Sequence, residues 1–166
     1  MSSREKENLV LALGRDNGGD EAVGLIAARE LARLFDQNFD FIESSEEGGF
    51  HLLEIMSGYT RALLLDTVAS GRGPAGMVYE YSADDVCHEV DPSPHYEGLC
   101  DVISMARRFE IPFPVEVRVL AMEIEAVPVD DDRLSTDVEM AMPRYLSRAS
   151  RILEAWRECP SLKSIS

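Results

Sequence analysis

Two acidic residues and one histidine have types and positions that suit a metal site. Glu21 follows a glycine-rich turn, Asp66 ends an apolar run, and His95 closes the segment Asp-Pro-Ser-Pro-His at 91–95. Two carboxylates and an imidazole, with coordination positions left open, can hold a borderline divalent ion such as nickel or zinc. These residues predict a metal site if the fold brings them together.

Each of these residues also has a structural interpretation. Asp20 and Glu21 fall in the first turn of a predicted helix, where negative charge stabilises the helix dipole, and for at least one of them this role is as plausible as a functional one. Asp66 directly follows four apolar residues, where burying an unpaired charge is costly, so function is favoured over a loop-capping role. His95 on its own is more typical of a surface loop, although the flanking prolines stiffen its backbone.

Other motifs that carry chemistry are missing from the sequence. The turn at residues 14–24 has neither dinucleotide-loop nor P-loop spacing, and its acids would repel phosphate. The sequence has no Gly-x-Ser-x-Gly elbow, and no base for cysteine catalysis can be located. The acidic run at 130–132 lacks EF-hand spacing and is predicted to be a solvated loop.

Apolar runs and helical periods alternate along the chain. The patterns predict strands at 9–13, 39–42, 61–68, 77–81 and 115–124, and helices at 21–35, 50–56, 99–109 and 135–156. We expect a polar loop at 83–96, Ser135 as the N-cap of the last helix, and a kink or division of that helix at Pro143. This order predicts a three-layer α/β sandwich, a mostly parallel sheet of about five strands with helices on both faces.

The predicted fold gives the candidate residues a common place. In an open parallel sheet, ligands bind beyond the carboxyl ends of the strands, where the strand order reverses. If the first and third strands are neighbours, Glu21 and Asp66 face each other across that crevice. The loop after the fourth strand could bring His95 over the same spot.

Length and composition set further limits. The chain has 166 residues and a formal charge of -15, which suits one domain over 1–166 and argues against nucleic acid or an anionic membrane as partner. No apolar stretch is long enough to span a membrane. Cys87, Cys100 and Cys159 form no Cys-x-x-Cys pair and leave an odd thiol, so we expect no disulfide framework and a reducing, cytoplasmic location.

Several short segments form an ordered set. They are 11–24, 46–53 (Glu-Glu-Gly-Gly-Phe-His-Leu-Leu), 64–68 (Leu-Leu-Asp-Thr-Val), 73–76 (Gly-Pro-Ala-Gly), 93–95 (Ser-Pro-His) and 123–125 (Glu-Ile-Glu). In this order they resemble the hydrogenase maturation proteases, endopeptidases that process the large subunit of nickel-iron hydrogenases. The resemblance runs from the first strand to the last helix.

The resemblance implies a fold, an activity and a site. The fold is a twisted sheet flanked by helices, of the phosphorylase/hydrolase-like type, and the activity is removal of a C-terminal extension from the nickel-loaded precursor. The family's metal-binding residues fall on Glu21, Asp66 and His95. The resemblance further implies that the precursor carries the nickel, that the hydrogenase large-subunit precursor is the partner, and that the protease is a monomer.

The sequence departs from the family pattern in two motifs. Arg15 stands where the family has an asparagine, and Ser-Ser-Glu-Glu at 44–47 stands where many members have Asp-Gly-Gly-Thr. The acid often associated with activity is thus missing, and Asp20, Glu46 and Glu47 are the catalytic candidates. The attacking group is left open between a metal-activated water and a carboxylate general base. Two other hypotheses are a non-catalytic nickel- or precursor-binding module and an unrelated small-ligand-binding domain.

Overall fold

Strands and helices alternate along most of the chain, as the apolar patterns predict. The computed structural model describes residues 7–35, 37–45, 49–88, 94–126 and 132–160, with the backbone alone for 94–97. The strands are β1 (Asn8–Leu13), β2 (Phe39–Ser44), β3 (Arg61–Val68), β4 (Val78–Ser82) and β5 (Glu116–Glu123). The helices are α1 (Val23–Leu34), α2 (Gly49–Met56), α3 (Ala83–His88), α4 (Pro94–Arg108) and α5 (Thr136–Glu158), with a short 3₁₀ turn at Gly19–Ala22 before α1.

The five strands form one sheet in the order β2-β1-β3-β5-β4. All neighbouring pairs are parallel except β4 and β5, which are antiparallel. The central strands β1 and β3 are buried along their whole length, because helices cover both faces of the sheet. The predicted three-layer α/β architecture is confirmed, and β1 and β3 are indeed neighbours.

The two faces of the sheet carry separate hydrophobic cores. Side chains of a strand alternate between faces, so Val10 and Leu65 pack with α1 and α5, whereas Leu13 and Leu64 pack with α2, α3 and α4. The chain runs from α2 and from α4 to the amino ends of β3 and β5, so both helices begin near the opposite, carboxyl edge of the sheet. That edge is where the candidate residues converge.

The prediction of a polar loop at 83–96 is wrong, because α3 and the start of α4 occupy most of that segment. Ser82 and Asp85 form a reciprocal cap: the Ser82 N–H donates to Asp85 Oδ2 at 2.8 Å, and the Asp85 N–H donates to Ser82 Oγ at 3.1 Å. The hydrogen bond from the Ser82 backbone holds the pKa of Asp85 below its usual value. The spacing Ser-x-x-Asp at 82–85 is a capping-box signature that could have predicted this helix.

The cysteine spacing predicts no disulfide framework, but the structure contains one disulfide. Cys87 of α3 and Cys100 of α4 are joined by a disulfide, with their Cα atoms 5.6 Å apart. The two helices pack side by side on the same face of the sheet, which brings thiols 13 residues apart within bonding reach. Cys159 is exposed and has no disulfide.

The last helix is continuous through Pro143, so the predicted division does not occur. Pro143 and Glu139, whose carbonyl loses its helical partner, both lie on the exposed face, where water can satisfy that carbonyl. Ser135 is the N-cap residue, as predicted, with extended backbone and a carbonyl that accepts the Glu139 N–H at 2.9 Å. Within the described ranges, no helix combines the length and apolar character needed to cross a membrane.

Candidate active site

The point where the strand order reverses lies between β1 and β3. The chain leaves β1 for one side of the sheet and reaches β3 on the other, so the carboxyl ends of these strands flank a crevice. The first turn of α1 lies directly over these ends: a Cβ on Gly24 would come within 2.5 Å of the Leu65 carbonyl and 2.8 Å of the Leu13 carbonyl. Only glycine allows this close approach, which fixes the loop before α1 at the crevice.

Glu21 lies in the 3₁₀ turn that precedes α1. Two turn hydrogen bonds, Gly18 N–H to Arg15 O and Glu21 N–H to Gly18 O, fold the loop so that Arg15 and Glu21 face each other. Arg15 Nη2 and Nε donate to Glu21 Oε2 at 2.6 and 3.2 Å. This hydrogen bond raises the pKa of the Arg15 guanidinium. The predicted ligand Glu21 is thus half-exposed beside the crevice and is paired with a cation of its own chain.

Asp66 is almost fully buried at the same edge, with an exposed fraction of 2%. Its Oδ1 accepts the Thr67 N–H at 2.8 Å. Its carbonyl and that of Leu120 accept the Tyr145 hydroxyl at 3.3 and 2.8 Å, which ties α5 to the centre of the sheet. Burial, reinforced by the Asp66 charge, raises the pKa of Tyr145. Side-chain alternation turns Asp66 towards the face that α2 and α4 cover.

The third predicted ligand, His95, lies in the first turn of α4 and not in a loop. Its backbone therefore begins the helix near the carboxyl edge, but its side chain lies outside the described residues. Among the residues whose side chains are described, no three His, Cys, Asp or Glu groups come together as a metal site. Glu21 and Asp66 flank the same crevice, and the prediction that His95 joins them stays a prediction.

The catalytic candidates have different positions. Asp20 Oδ1 accepts the Ser135 N–H at 2.7 Å, so this carboxylate links the loop before α1 to the start of α5. That contact favours a structural role for Asp20. Glu46 and Glu47 lie outside the described residues.

Glu123 accepts hydrogen bonds from Ser70 Oγ at 2.6 Å and the Gly71 N–H at 2.8 Å, which makes it a buried anchor for the loop after β3.

One pair of polar side chains at this edge was missed by the sequence analysis. Ser44 is the last residue of β2, and His51 lies in the first turn of α2. The Oγ of Ser44 is 3.0 Å from Nε2 of His51. Ser44 is nearly buried, whereas His51 is partly exposed. A serine at a strand end followed by a histidine early in the next helix was the available signal, but their contact depends on the path of the chain between them.

Comparisons with known proteins bear on the fold of this site. No family model and no curated protein sequence matches the chain. The hydrogenase maturating endopeptidase HybD from E. coli is similar in structure, with 23% identity, 93% of this chain and 94% of that chain covered, and a TM-score of 0.74.

Two archaeal structures give the same result. The [NiFe] hydrogenase maturation protease HybD from Thermococcus kodakarensis is 21% identical over 89% of this chain and 99% of its own, with a TM-score of 0.65. The hydrogenase 2 maturation peptidase from Thaumarchaeota archaeon SCGC_AB-539-E09 is 21% identical over 89% of this chain and 98% of its own, with a TM-score of 0.62. The chain therefore has the fold of the hydrogenase maturation peptidases along nearly its whole length.

Proposed function

We propose that the protein is an endopeptidase that removes a C-terminal extension from the nickel-loaded large-subunit precursor of a nickel-iron hydrogenase. The observation that carries the proposal is the fold shared with HybD over 93% of the chain. The positions of Glu21 and Asp66 beside the strand-order reversal support it, because ligands of such sheets bind there.

The residues Glu21, Asp66 and His95 hold the nickel ion in this proposal. The ion is cargo of the substrate and not a resident cofactor of the protease. Carboxylate oxygens and an imidazole nitrogen are suitable ligands for Ni²⁺. The position of Asp66 in β3 supports this assignment, because β3 borders the point where the strand order reverses.

Holding the nickel ion also positions the peptide to be cut. The C-terminal extension then lies along the carboxyl edge of the sheet, so that the scissile peptide is close to the polar side chains of that edge. Positioning of this kind removes much of the entropic cost of the reaction. Attack by water on the carbonyl carbon then releases the extension as a free peptide.

The first test is mass spectrometry of a hydrogenase large-subunit precursor after incubation with the protein, with and without nickel. We expect a nickel-dependent loss of a C-terminal peptide. A precursor that keeps its full mass with nickel present, although it binds the protein, would contradict the peptidase activity.

Two variants test the site. Asp66→Asn and His95→Ala should each lower the cleavage rate and the affinity for nickel-loaded precursor by at least about tenfold, because each removes a metal ligand. Asp101→Asn and His88→Ala are matched controls, since both residues are exposed on α4 and α3 and outside the crevice. Equal cleavage by all four variants would exclude the proposed ligands.

A second candidate function is a non-catalytic module that binds the nickel-loaded precursor. The ion pair between Arg15 and Glu21 favours it, because a guanidinium already neutralises one predicted ligand. Co-purification of nickel-loaded precursor without shortening would support the module. Cleavage in the same assay would exclude it.

The proposal also includes the setting of the reaction. In this proposal one copy of the chain acts on one precursor. A reducing, cytoplasmic location was expected from the cysteine usage, and the Cys87–Cys100 disulfide argues against it, because disulfides persist in oxidising compartments. The formal charge of -15 makes a nucleic acid or an anionic membrane an unfavourable partner. Size-exclusion chromatography of the protein with and without precursor tests the stoichiometry.

A further inference from the structure

We propose that Arg15 occupies Glu21 as an internal counter-ion and keeps the proposed nickel site from taking up free divalent ions, so that the site accepts only the nickel ion that the precursor carries. This inference rests on the proposed function, in which Glu21 is a ligand of that ion. It adds a residue that determines which form of the metal the site accepts. The assignment comes from the contact between the two side chains and from the loop that holds them together.

The guanidinium of Arg15 contacts the Glu21 carboxylate with two of its nitrogens. Nη2 lies 2.6 Å and Nε lies 3.2 Å from the same oxygen, Oε2. These charge-assisted hydrogen bonds compete with a metal ion for the lone pairs of that oxygen. An ion held through the other oxygen, Oε1, would lie close to the same guanidinium, and the two positive charges repel each other. A divalent ion that binds Glu21 must therefore displace the guanidinium or bind less tightly.

The loop between β1 and α1 keeps the two side chains opposed. Turn hydrogen bonds run from the Gly18 N–H to the Arg15 carbonyl at 3.2 Å and from the Glu21 N–H to the Gly18 carbonyl at 3.1 Å. A Cβ on Gly18 would lie only 3.0 Å from the Arg15 carbonyl and 3.3 Å from Glu21 Cβ. Gly18 thus lets the two ends of the turn approach each other, and the turn sets Arg15 against Glu21 before any ligand arrives.

Two further carboxylates near this loop are also paired with an arginine. Nitrogens of Arg29 in α1 lie 3.0 Å from Asp16 in the loop and 2.7 Å from Glu43 near the end of β2. The carboxylates of Asp16, Glu21 and Glu43 are thus each matched by a cation of this chain. The pairing has a consequence because the formal charge of -15 draws free divalent ions towards the molecule. Around this loop, the arginines oppose that attraction.

The ion pair between Arg15 and Glu21 is weak enough to be replaced by the proposed substrate. Both side chains are largely accessible to water, with exposed fractions of 67% and 44%, and ion pairs of this kind are weak. A nickel ion that arrives on the precursor is joined to a second set of contacts between the two proteins, which strengthens its binding. A free ion has the ligands of the protease alone, so the ion pair excludes it more effectively.

Calorimetric titration of free Ni²⁺ into the full chain tests the role of Arg15. Arg15→Met should bind nickel about tenfold more tightly than the unchanged protein, because the Glu21 carboxylate is released and a nearby positive charge is lost. Arg29→Met is the matched control, since it removes the same charge from a neighbouring ion pair, and it should change the affinity by at most about twofold. Weaker or equal nickel binding by Arg15→Met, or no detectable binding by either protein, would overturn the inference.

A double substitution shows whether Arg15 acts through Glu21. When Arg15→Met is added to Glu21→Gln, the gain in nickel affinity should disappear, because the carboxylate that Arg15 occupied is already gone. A gain of the same size in the Glu21→Gln background would overturn the inference, since the effect would then come from the loss of a surface charge alone.

Inhibition by free metal tests the selectivity itself. Free Ni²⁺ is added while nickel-loaded precursor is being cleaved, and the concentration that halves the rate is measured. Arg15→Met should be inhibited at about a tenfold lower concentration than the unchanged protein, in line with its tighter binding of the free ion. Arg29→Met should be inhibited at the same concentration as the unchanged protein. Equal sensitivity of Arg15→Met and the unchanged protein would overturn the inference.

Failure of the proposed function and failure of this inference give different results. If Glu21→Gln changes neither the affinity for free nickel nor the cleavage of precursor, the ligand assignment of the proposed function fails, and the inference fails with it. If the unchanged protein shortens the precursor, Glu21→Gln does not, and Arg15→Met binds free nickel like the unchanged protein, only the inference fails.

Discussion

The two ends of strand β3 each carry a buried charged residue, and the two residues are held in different ways. Arg61, at the amino end, is 6% exposed, and Asp66, at the carboxyl end, is 2% exposed. They belong to the same strand and the same sheet, so burial alone does not distinguish a structural charge from a functional one. The difference lies in what surrounds each of them.

Arg61 is enclosed by partners from distant parts of the chain. Its guanidinium donates to Asn8 Oδ1 at 2.9 Å, to the Cys159 carbonyl at 2.8 Å and to the Trp156 carbonyl at 3.1 Å. It also pairs with Glu7 at 3.3 Å and lies 5.4 Å from the centre of the Trp156 ring. This network joins the start of β1, the start of β3 and the end of α5, and it leaves the guanidinium turned towards protein.

Asp66 has a different kind of neighbourhood. Its carboxylate accepts a hydrogen bond from the N–H of the next residue, and strand alternation turns its side chain towards the face that α2 and α4 cover. The amino end of β3 thus uses a buried charge to join elements together. The carboxyl end presents one at the place where an open α/β sheet binds its ligands.

The largest loss of stability is expected from Arg61→Met, a substitution that keeps the apolar part of the side chain and removes the guanidinium. It removes the donor to two backbone carbonyls and to the Asn8 side-chain oxygen and breaks the ion pair with Glu7, so we expect a loss of about 3 kcal/mol or more of unfolding free energy. Urea denaturation measures it. Arg33→Met, at an exposed ion pair of α1, is the control and should change stability by at most about 0.5 kcal/mol. If Arg61→Met lowers the unfolding free energy as little as Arg33→Met, then the buried charge at the amino end of β3 does not hold the fold together, and the contrast with its carboxyl end is lost.

The disulfide lies on the face that α2, α3 and α4 cover. Its removal should lower the free energy of unfolding by less than Arg61→Met does. The double substitution of Cys87 and Cys100 by serine releases a loop with a sequence separation of 13, so we expect a loss of about 2–3 kcal/mol. Cys159→Ser, at an exposed free thiol, is the control and should leave the urea midpoint unchanged. An unchanged midpoint for the double variant would show that the packing of α3 on α4 holds this face without the disulfide.

A smaller loss is expected from Gly24→Ala at the carboxyl edge. The added Cβ would meet the carbonyls that end β1 and β3, which pushes the first turn of α1 away and costs about 1–3 kcal/mol. Gly49→Ala is the comparison, because there the nearest atom belongs to the Val102 side chain, which can move. Equal losses in the two variants would mean that the loop before α1 is not held by this close approach.

The sequence predicted the parts of the molecule that follow from local patterns. The apolar runs that became β1 and β3 identify strands buried on both faces, and the acidic residue after the second run identifies Asp66. Parallel order then follows from alternation with helices, and the crevice follows from that order. These inferences need no knowledge of side-chain contacts.

Contacts between separate elements were beyond the same reasoning. The Ser44–His51 pair joins a strand end to a helix start, and the Cys87–Cys100 disulfide joins two helices. In both cases the distance depends on how the helices pack, which spacing along the chain does not give. The start of α3 was different, because its capping box was present in the sequence and was overlooked.

The smallest change in stability is expected from Asp66→Asn, and it gives the sharpest contrast with Arg61. Asparagine keeps an oxygen that can accept the Thr67 N–H and removes a charge that is costly to bury, so the unfolding free energy should stay within about 1 kcal/mol or rise. Urea denaturation beside Arg61→Met gives the comparison directly. If Asp66→Asn unfolds as readily as Arg61→Met, then the Asp66 carboxylate holds the fold together as Arg61 does, and its burial at the crevice no longer favours a binding role.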